Sequence, residues 1–348
     1  MKINVMDTID REDATLWRPV TKAVDDADHA GHRMDRRDMV AGTLLVVIGF
    51  VLWWLCTDRA AVMPFWAPWD FSWVEFASTW LVIWWFVRGV GRTAAARRPL
   101  LARWISFLVG TLAIYLVLDT HFEYAAQHMF VLNRIQHVVM HHFGPMLIAL
   151  SWPGATIARG MPRGLRALLL HRLVLCAVNF VQQPILAASL FVGLIFFWLI
   201  PAVHFRAMLD SRLYTLMNWS MVVDGILFWC LLLDPRPSPP ARTSFAVRAM
   251  LSIGVMFPQI LGGALIAFSQ HELYPSYGLC GRLSPGVSAS ADQTLGGLVI
   301  WIPTAMMSVL AIMLILNASR RCGDTPRQLG AEDQLYPTAV EARLWTGR

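Results

Sequence analysis

The chain has 348 residues, of which 56% are hydrophobic and only 15% are charged, and its formal net charge is +6. Soluble domains carry about 25% charged residues, and here 16 Trp and 18 Phe stand beside only 23 acidic residues. The mean hydropathy is +0.51. These values exclude a soluble globular enzyme, a disordered chain and a disulfide scaffold. They indicate an all-α membrane protein with several spans.

About 20 consecutive apolar residues let a helix cross a bilayer. Eight apolar runs of roughly that kind follow one another, at 39–57, 72–88, 104–119, 129–151, 183–203, 213–233, 249–269 and 294–317. The stretch LRALLLHRLVLCAVNF, which starts at Leu165, precedes the fifth run and is typical of an amphipathic helix in the membrane interface. The sequence therefore predicts a polytopic bundle of about eight transmembrane helices over 39–318. A polar N-terminal tail (1–38) and a C-terminal tail (319–348) flank it.

Lys and Arg residues are distributed unevenly between the two sides of this bundle. Alternate loops and both tails carry 24 of them, the opposite loops carry 4, and Arg134 falls inside the fourth run. Cytoplasmic loops are the ones enriched in Lys and Arg. We therefore predict that both termini are cytoplasmic. The excess positive charge indicates topology, and we expect no binding to nucleic acid.

Ionisable residues concentrate in the fourth run, which reads HMFVLNRIQHVVMHHFGPMLIALSW from His128 onward. Such groups inside a span usually face a protein interior or a cavity. A spacing of four places His137 and His141 on one helical face, with Met140 at its border. Arg134 extends the same face, whereas His142 is expected about 100° away from His141.

Two imidazoles one turn apart can bind a transition metal, and a neighbouring thioether favours Cu(I). We therefore predict a copper site formed by His137, His141 and Met140. His121 and His128 lie near the outer end of the run, where an access path would open. The competing interpretation is that the histidines only form hydrogen bonds to neighbouring helices.

Motifs for three classes of membrane enzyme are missing. A zinc protease helix reads H-E-x-x-H, and here Val138 stands where that glutamate would be. Spans five to eight have no central histidine to face the fourth run across a haem, and no G-x-S-x-G occurs. We therefore expect a protein that is not an enzyme.

Motifs in three segments belong together. They are His137, His141, Pro145 and Trp152-Pro153; GGALIAF at 262–268 with LYP at 273–275; and DQTLGGL at 292–298 with Trp301 and Pro303. These motifs resemble those of the CtaG-type cytochrome c oxidase assembly factors, and the resemblance covers about residues 70–318. The chain departs from the family at Tyr214 and Asn218, where members usually carry a second histidine pair.

The departure leaves the ligand set open. Replacement ligands would have to come from His204, Met208, Met217 or Met221. Asn218 could orient a histidine of the fourth run by a hydrogen bond. Further candidates for the access path or for contacts to the ligands are His121, His128, Arg134, His142, Asn218, Tyr214 and Asp292.

The resemblance implies a multi-pass inner-membrane protein that helps to build haem-copper oxidase by handling copper. In this hypothesis Cu(I) enters from the periplasmic side and passes to an oxidase subunit. His137 and His141 are then essential, and His142 is dispensable. One alternative is a scaffold subunit without metal chemistry. Another is an ion or proton pathway that uses Arg134, the histidines and Asp224, although Asp224 and Arg134 would equally form a structural pair.

Overall fold

The computed structural model describes residues 36–68, 71–93, 98–238, 241–279 and 281–324. Throughout these residues the regular secondary structure is helical, apart from an isolated antiparallel bridge between Pro68 and Thr120. The all-α prediction is thus confirmed over this part of the chain. Most of the two tails, 1–38 and 319–348, lies outside the described residues.

Fifteen α-helices follow one another in the described ranges. They are α1 (Arg36–Asp58), α2 (Trp73–Gly91), α3 (Leu101–Asp119), α4 (His121–His128), α5 (Phe130–Val138), α6 (Gly144–Ser151), α7 (Gly154–Gly160), α8 (Arg163–Leu169), α9 (Arg172–Val181), α10 (Pro184–Leu199), α11 (Pro201–Leu209), α12 (Ser211–Leu232), α13 (Phe245–Ala267), α14 (Ser276–Leu279) and α15 (Ala289–Asp324). A π turn, Val139–Phe143, joins α5 to α6 without interruption.

Five of these helices are long and apolar enough to cross a membrane, namely α1, α3, α12, α13 and α15. Two bent pairs, α8 with α9 and α10 with α11, raise the number to seven if each pair is one span. The protein is therefore a helical membrane bundle with five to seven candidate spans in its described part. The number eight and the cytoplasmic position of both termini stay predictions.

Two bends have local causes in the sequence. The fifth apolar run was expected to continue through Pro201, but α10 ends at Leu199 and α11 restarts at Pro201 with a 75° bend. Proline lacks an N–H and disfavours helical geometry in the residue before it. The stretch after Leu165 forms α8 and α9, bent by 48°, because the His171 ring accepts the Leu173 N–H and starts a new helix.

The helices α13 and α15 lie directly against each other. A Cβ added at Gly263 would lie 2.7 Å from the Gly297 carbonyl oxygen, and one added at Gly297 would lie 2.6 Å from the Ala267 nitrogen. Only glycine permits this approach of two backbones. The paired glycines of the last two apolar runs are therefore packing residues.

The continuous segment α5–π turn–α6 lies at the centre of the bundle, against α3, α12 and α15. One apolar cluster surrounds its first half and includes Phe130, Met140 and Met217. A second cluster surrounds α6 and includes Phe191 and Trp229. This central position explains why a segment with so many polar residues is tolerated in a membrane bundle.

Candidate functional site

The π turn sets the geometry of the histidine segment. Pro145 has no N–H to donate to the His141 carbonyl, and in a regular α-helix its ring would press on that oxygen. The Gly144 N–H instead donates to the Val139 carbonyl, five residues earlier, which gives the wider turn. The His141 carbonyl accepts the indole N–H of Trp229 at 3.2 Å.

Helix α12 approaches the π turn closely enough for that bond to form. A Cβ added at Gly225 would lie 2.5 Å from the His141 carbonyl oxygen. Gly225 therefore lets the backbone of α12 touch the widened turn, and Trp229, one turn further along, reaches the carbonyl. The π turn thus depends on two patterns: the GPM sequence that follows the histidines, and the G-x-x-x-W pattern that lets α12 contact the turn.

The histidines line a small buried cavity. Its walls include Arg134, His137, His141, His142, Met221 and Gln259. The volume is about 20 Å³, which is room for about one water molecule. His137 and His141 share this cavity, as their spacing of four predicts.

His142 also lines the cavity, although a regular helix would place it about 100° from His141 and at most at the edge of the histidine face. A regular helix would turn His142 away from the His137 face, but a π turn holds more residues than an α turn, so His142 rotates back toward the cavity. The rings of His141 and His142 lie edge to face with centroids 4.9 Å apart. The cavity therefore has three histidines on its walls.

Two of the three imidazoles have a fixed partner. His141 Nε2 lies 3.1 Å from the Asp224 carboxylate, and His142 Nε2 lies 2.9 Å from Gln259 Oε1. The Gln259 amide nitrogen donates to the Val255 carbonyl, so its oxygen faces His142. When Asp224 is ionised both partners accept, so each Nε2 then carries the proton and each Nδ1 keeps its lone pair.

His137 differs from its neighbours. Both of its ring nitrogens are buried and have no hydrogen-bond partner among the described residues. The Nδ1 atoms of His141 and His142 are also buried without a partner in the described part of the chain. A buried polar atom without a partner is costly, so these four nitrogens require an explanation.

Arg134 is buried beside the cavity and forms no pair with Asp224, contrary to the structural alternative. Its guanidinium donates to the Asn133 side chain and lies over the Phe130 ring, 5.1 Å from the centroid. Asp224 binds His141 instead. The acidic residue that the sequence marks on α12 therefore orients a histidine.

Met140 does not line the cavity and lies in the apolar cluster around the first half of the segment. Met217 and Met221 belong to the same cluster, and of the three only Met221 also lines the cavity. Of the thioethers considered, Met221 is the one beside the histidines.

Tyr214 and Asn218 are both buried on α12. The Tyr214 hydroxyl donates to Gln136 Oε1 at 3.0 Å, and the Gln136 amide donates to the Val117 carbonyl at 2.8 Å. Neither Tyr214 nor Asn218 lines the cavity. Tyr214 therefore joins α12 to α5 and α3 through Gln136.

The outer histidines have local partners. His121 Nδ1 lies 3.4 Å from the Ala67 carbonyl, and His128 Nδ1 lies 2.8 Å from the Tyr124 carbonyl. His204 Nε2 lies 2.9 Å from the Tyr277 hydroxyl. Burial raises the pKa of Tyr277 well above its usual value, so the phenol stays protonated beside His204. None of these three histidines lines the cavity.

Asp292 anchors the start of the histidine segment. Its carboxylate accepts the backbone N–H groups of Phe130 (3.0 Å) and Val131 (2.9 Å), and it also accepts from Arg282 at 2.8 Å. A helix N-terminus leaves such N–H groups without intrahelical partners. Asp292 therefore caps α5 from a distant part of the chain and does not line the cavity.

Gln259 lines the cavity, and it was not predicted from the sequence. It follows Pro258 inside an otherwise apolar run, and a polar amide in such a run is the signal that could have found it. No three side chains of His, Cys, Asp and Glu come close enough to hold a metal ion within the described ranges.

A membrane bundle with a buried histidine cavity between its central helix, α12 and α13 is the class that the geometry defines. A family profile described as the cytochrome c oxidase caa3 assembly factor matches residues 84–321, more than half of the chain. The chain therefore belongs to the caa3 assembly factor family, Caa3_CtaG, and the resemblance noted in its motifs is confirmed.

Similar curated proteins come from mycobacteria and are named as uncharacterized. Those of Mycobacterium bovis and Mycobacterium tuberculosis are each 26% identical over 236 residues, covering 62% of this chain and 33% of their own length. The protein of Mycobacterium leprae is 24% identical over 238 residues, covering 62% and 33%. The match thus spans about a third of these relatives. No solved structure matches the chain.

Proposed function

We propose that this chain assists the assembly of a haem-copper cytochrome c oxidase by holding Cu(I) as cargo in the histidine cavity. The observation that carries the proposal is His137, whose two buried ring nitrogens have no hydrogen-bond partner among the described residues. Membership of an oxidase assembly factor family supplies the context. The copper then passes to an oxidase subunit that docks beside the bundle.

The donor set of the cavity suits this cargo. His137 and the Nδ1 atoms of His141 and His142 offer neutral imidazole lone pairs, and Met221 offers a thioether. Imidazole suits copper, and thioether selects Cu(I). Met140 is left out of the proposed set because it does not line the cavity, whereas Met221 does. Asp224 would orient His141 and raise its basicity.

The access side and the topology form part of the same proposal. The chain lies in the inner membrane with eight spans and cytoplasmic termini, and copper enters from the periplasm. The 24-to-4 asymmetry of Lys and Arg supports this orientation. Reporter fusions should place positions 65 and 282 outside, and positions 95, 162 and 240 inside. A periplasmic C-terminus would exclude the eight-span arrangement.

The decisive experiment measures copper per folded protein. Protein purified under reducing conditions is titrated with Cu(I) against a competing chelator, and oxidase activity is measured in the same strains. His137→Ala should weaken Cu(I) binding so strongly that the site is empty at low copper, and Asp224→Asn should weaken it by about 10- to 100-fold. His204→Ala is the matched control, since His204 is buried but lies outside the cavity. Equal copper binding by His137→Ala and wild type would refute the site.

A scaffold without metal chemistry is the second candidate. It is favoured by the lack of any three-residue metal cluster of His, Cys, Asp and Glu in the described part. It predicts no stoichiometric Cu(I) in wild type, and oxidase activity in His137→Ala that follows only protein abundance. Excess copper should partly restore activity in His137→Ala under the copper proposal and should have no effect under the scaffold alternative.

A further inference from the structure

A buried arginine lies on the wall of the histidine cavity. Among the described residues that line this cavity, Arg134 alone has a side chain that is charged at neutral pH whatever its surroundings. It precedes His137 by three residues in the regular helix α5, and this spacing brings two Cβ atoms to about 5 to 6 Å. The cavity has room for about one water molecule. A metal ion bound to His137 therefore lies next to the Arg134 side chain.

The charge of Arg134 has no acidic partner within the described ranges. The residue is only 3% exposed, and none of the ion pairs between described residues includes it. Its guanidinium donates to the Asn133 amide oxygen and lies over the Phe130 ring, and its Nε atom is buried without a partner in that part of the chain. A buried charge without a counter-ion is costly, so this arginine requires an explanation.

The ligands of the cavity do not by themselves select one metal. Imidazole suits zinc as well as copper, and three histidines are a common ligand set for Zn(II). One thioether, that of Met221, lines the described part of the wall beside the three histidines. Because these donors accept both Cu(I) and Zn(II), a further feature of the site has to separate the two ions. The feature that the cavity offers is charge.

The charges around the empty cavity come close to cancelling. Asp224 binds His141 and is not itself on the cavity wall, so an ionised Asp224 offsets Arg134. A monovalent ion then adds one unpaired charge to the buried site, and a divalent ion adds two. Burial of unpaired charge is costly, and Coulomb repulsion is proportional to the charge. Arg134 therefore penalises a divalent ion more than a monovalent one.

We propose that Arg134 makes the histidine cavity selective for a monovalent metal ion over a divalent one. This inference rests on the copper proposal and adds the class of ion that the same site accepts. Arg134 acts through its charge and is not a ligand, because a guanidinium group has no lone pair to offer.

Competition titrations of the purified full chain with Cu(I) and with Zn(II) test the inference, and the ratio of the two dissociation constants is the readout. Arg134→Gln should improve Zn(II) binding relative to Cu(I) by roughly 10- to 100-fold, as expected for one unit charge several ångström away in a protein interior. Arg134→Leu should produce the same change without a new amide. Arg206→Gln is the matched control, because Arg206 is exposed and does not line the cavity.

Asp224 allows the reverse experiment. Asp224→Asn removes the offsetting negative charge and should shift the ratio in the opposite direction, further toward Cu(I). The double variant of Arg134→Gln and Asp224→Asn restores a nearly neutral site, so its ratio should return toward the wild-type value even though both metals bind more weakly. Asp224→Asn keeps Arg134, so it tests the charge effect even if neither Arg134 variant folds.

The outcomes separate this inference from the copper proposal. An unchanged ratio in the Arg134 variants or in Asp224→Asn would overturn the selectivity role, and so would an equal change in Arg206→Gln. Wild type would still bind Cu(I) in those cases, so the copper site would stand. Failure of wild type to bind either Cu(I) or the redox-inert monovalent probe Ag(I) would instead refute the copper site, and the selectivity role with it.

Discussion

Helix α1 and the α5–π turn–α6 segment differ in how much of each is buried inside the protein. Helix α1 has a mean hydropathy of 2.3, but only 6% of its candidate span is buried inside the protein. The α5–π turn–α6 segment is not among the five helices that qualify by length and composition, yet it lies at the centre of the bundle. High hydropathy alone does not separate the two cases, since α12 also qualifies as a span and 56% of its window is buried. The histidine segment differs from α1 because its polar residues are covered by protein.

The strongest test of this contrast is steric and concerns the closest contact of the central segment. Gly225→Ala places a methyl group against the His141 carbonyl, and we expect a loss of about 3 kcal/mol in the free energy of unfolding. Gly254→Ala is the control, because nothing lies within 4 Å of its added Cβ. The midpoint of thermal unfolding in detergent measures both, and equal midpoints would contradict the packing argument.

A smaller loss is expected at the cap of α5. Asp292→Ala removes the acceptor for two backbone N–H groups and the buried partner of Arg282, which should cost about 2 kcal/mol. Glu272→Gln affects only the more exposed Arg282 contact and should change stability by less than about 0.5 kcal/mol. Denaturant or heat titration of the two variants should separate them clearly. A larger effect at Glu272 would mean that the cap is unimportant.

Trp229→Phe tests the hydrogen bond from the indole to the His141 carbonyl in the π turn. The variant leaves the His141 oxygen without its indole donor, at an expected cost of about 1 kcal/mol. Trp198→Phe loses a bond to the Ser220 hydroxyl, which keeps its own contact to the Met217 carbonyl. We therefore expect Trp198→Phe to be milder. The reverse order in thermal stability would show that the π turn does not need this donor.

The smallest effects should occur on α1. Phe50 is 57% exposed, so Phe50→Leu should change stability by less than about 0.5 kcal/mol. Phe107 is buried on α3, and Phe107→Leu should cost about 1 kcal/mol more. If the two variants are equally harmful in unfolding experiments, then α1 is packed against a partner in the membrane.

Much of the architecture could be predicted from the sequence, because apolar runs indicate long apolar helices and prolines indicate where helices end or begin. Five runs correspond to long apolar helices, and the spacing of four brings His137 and His141 to one cavity. The position of His142 was not accessible, since a helical wheel assumes 3.6 residues per turn and the π turn breaks that assumption.

Other site features depend on contacts that no local pattern contains. The partners of His141 and His142 lie on α12 and α13, so they follow only from the packing of the helices. Asp292 belongs to a recognisable motif, but its role as a cap depends on a residue 162 positions away. Met140 lies three residues after His137 and still does not line the cavity, where Met221 of α12 supplies the thioether instead.

The cap of α5 also has a consequence for biosynthesis. The ribosome produces Phe130 long before Asp292, and at about 5 to 20 residues per second the interval is roughly 8 to 32 seconds. During that time the first amides of the histidine helix lack their final acceptor. The cavity is therefore completed only when the last helix enters the membrane. In a chain that stops before α15, the histidines would lie in an incomplete cavity.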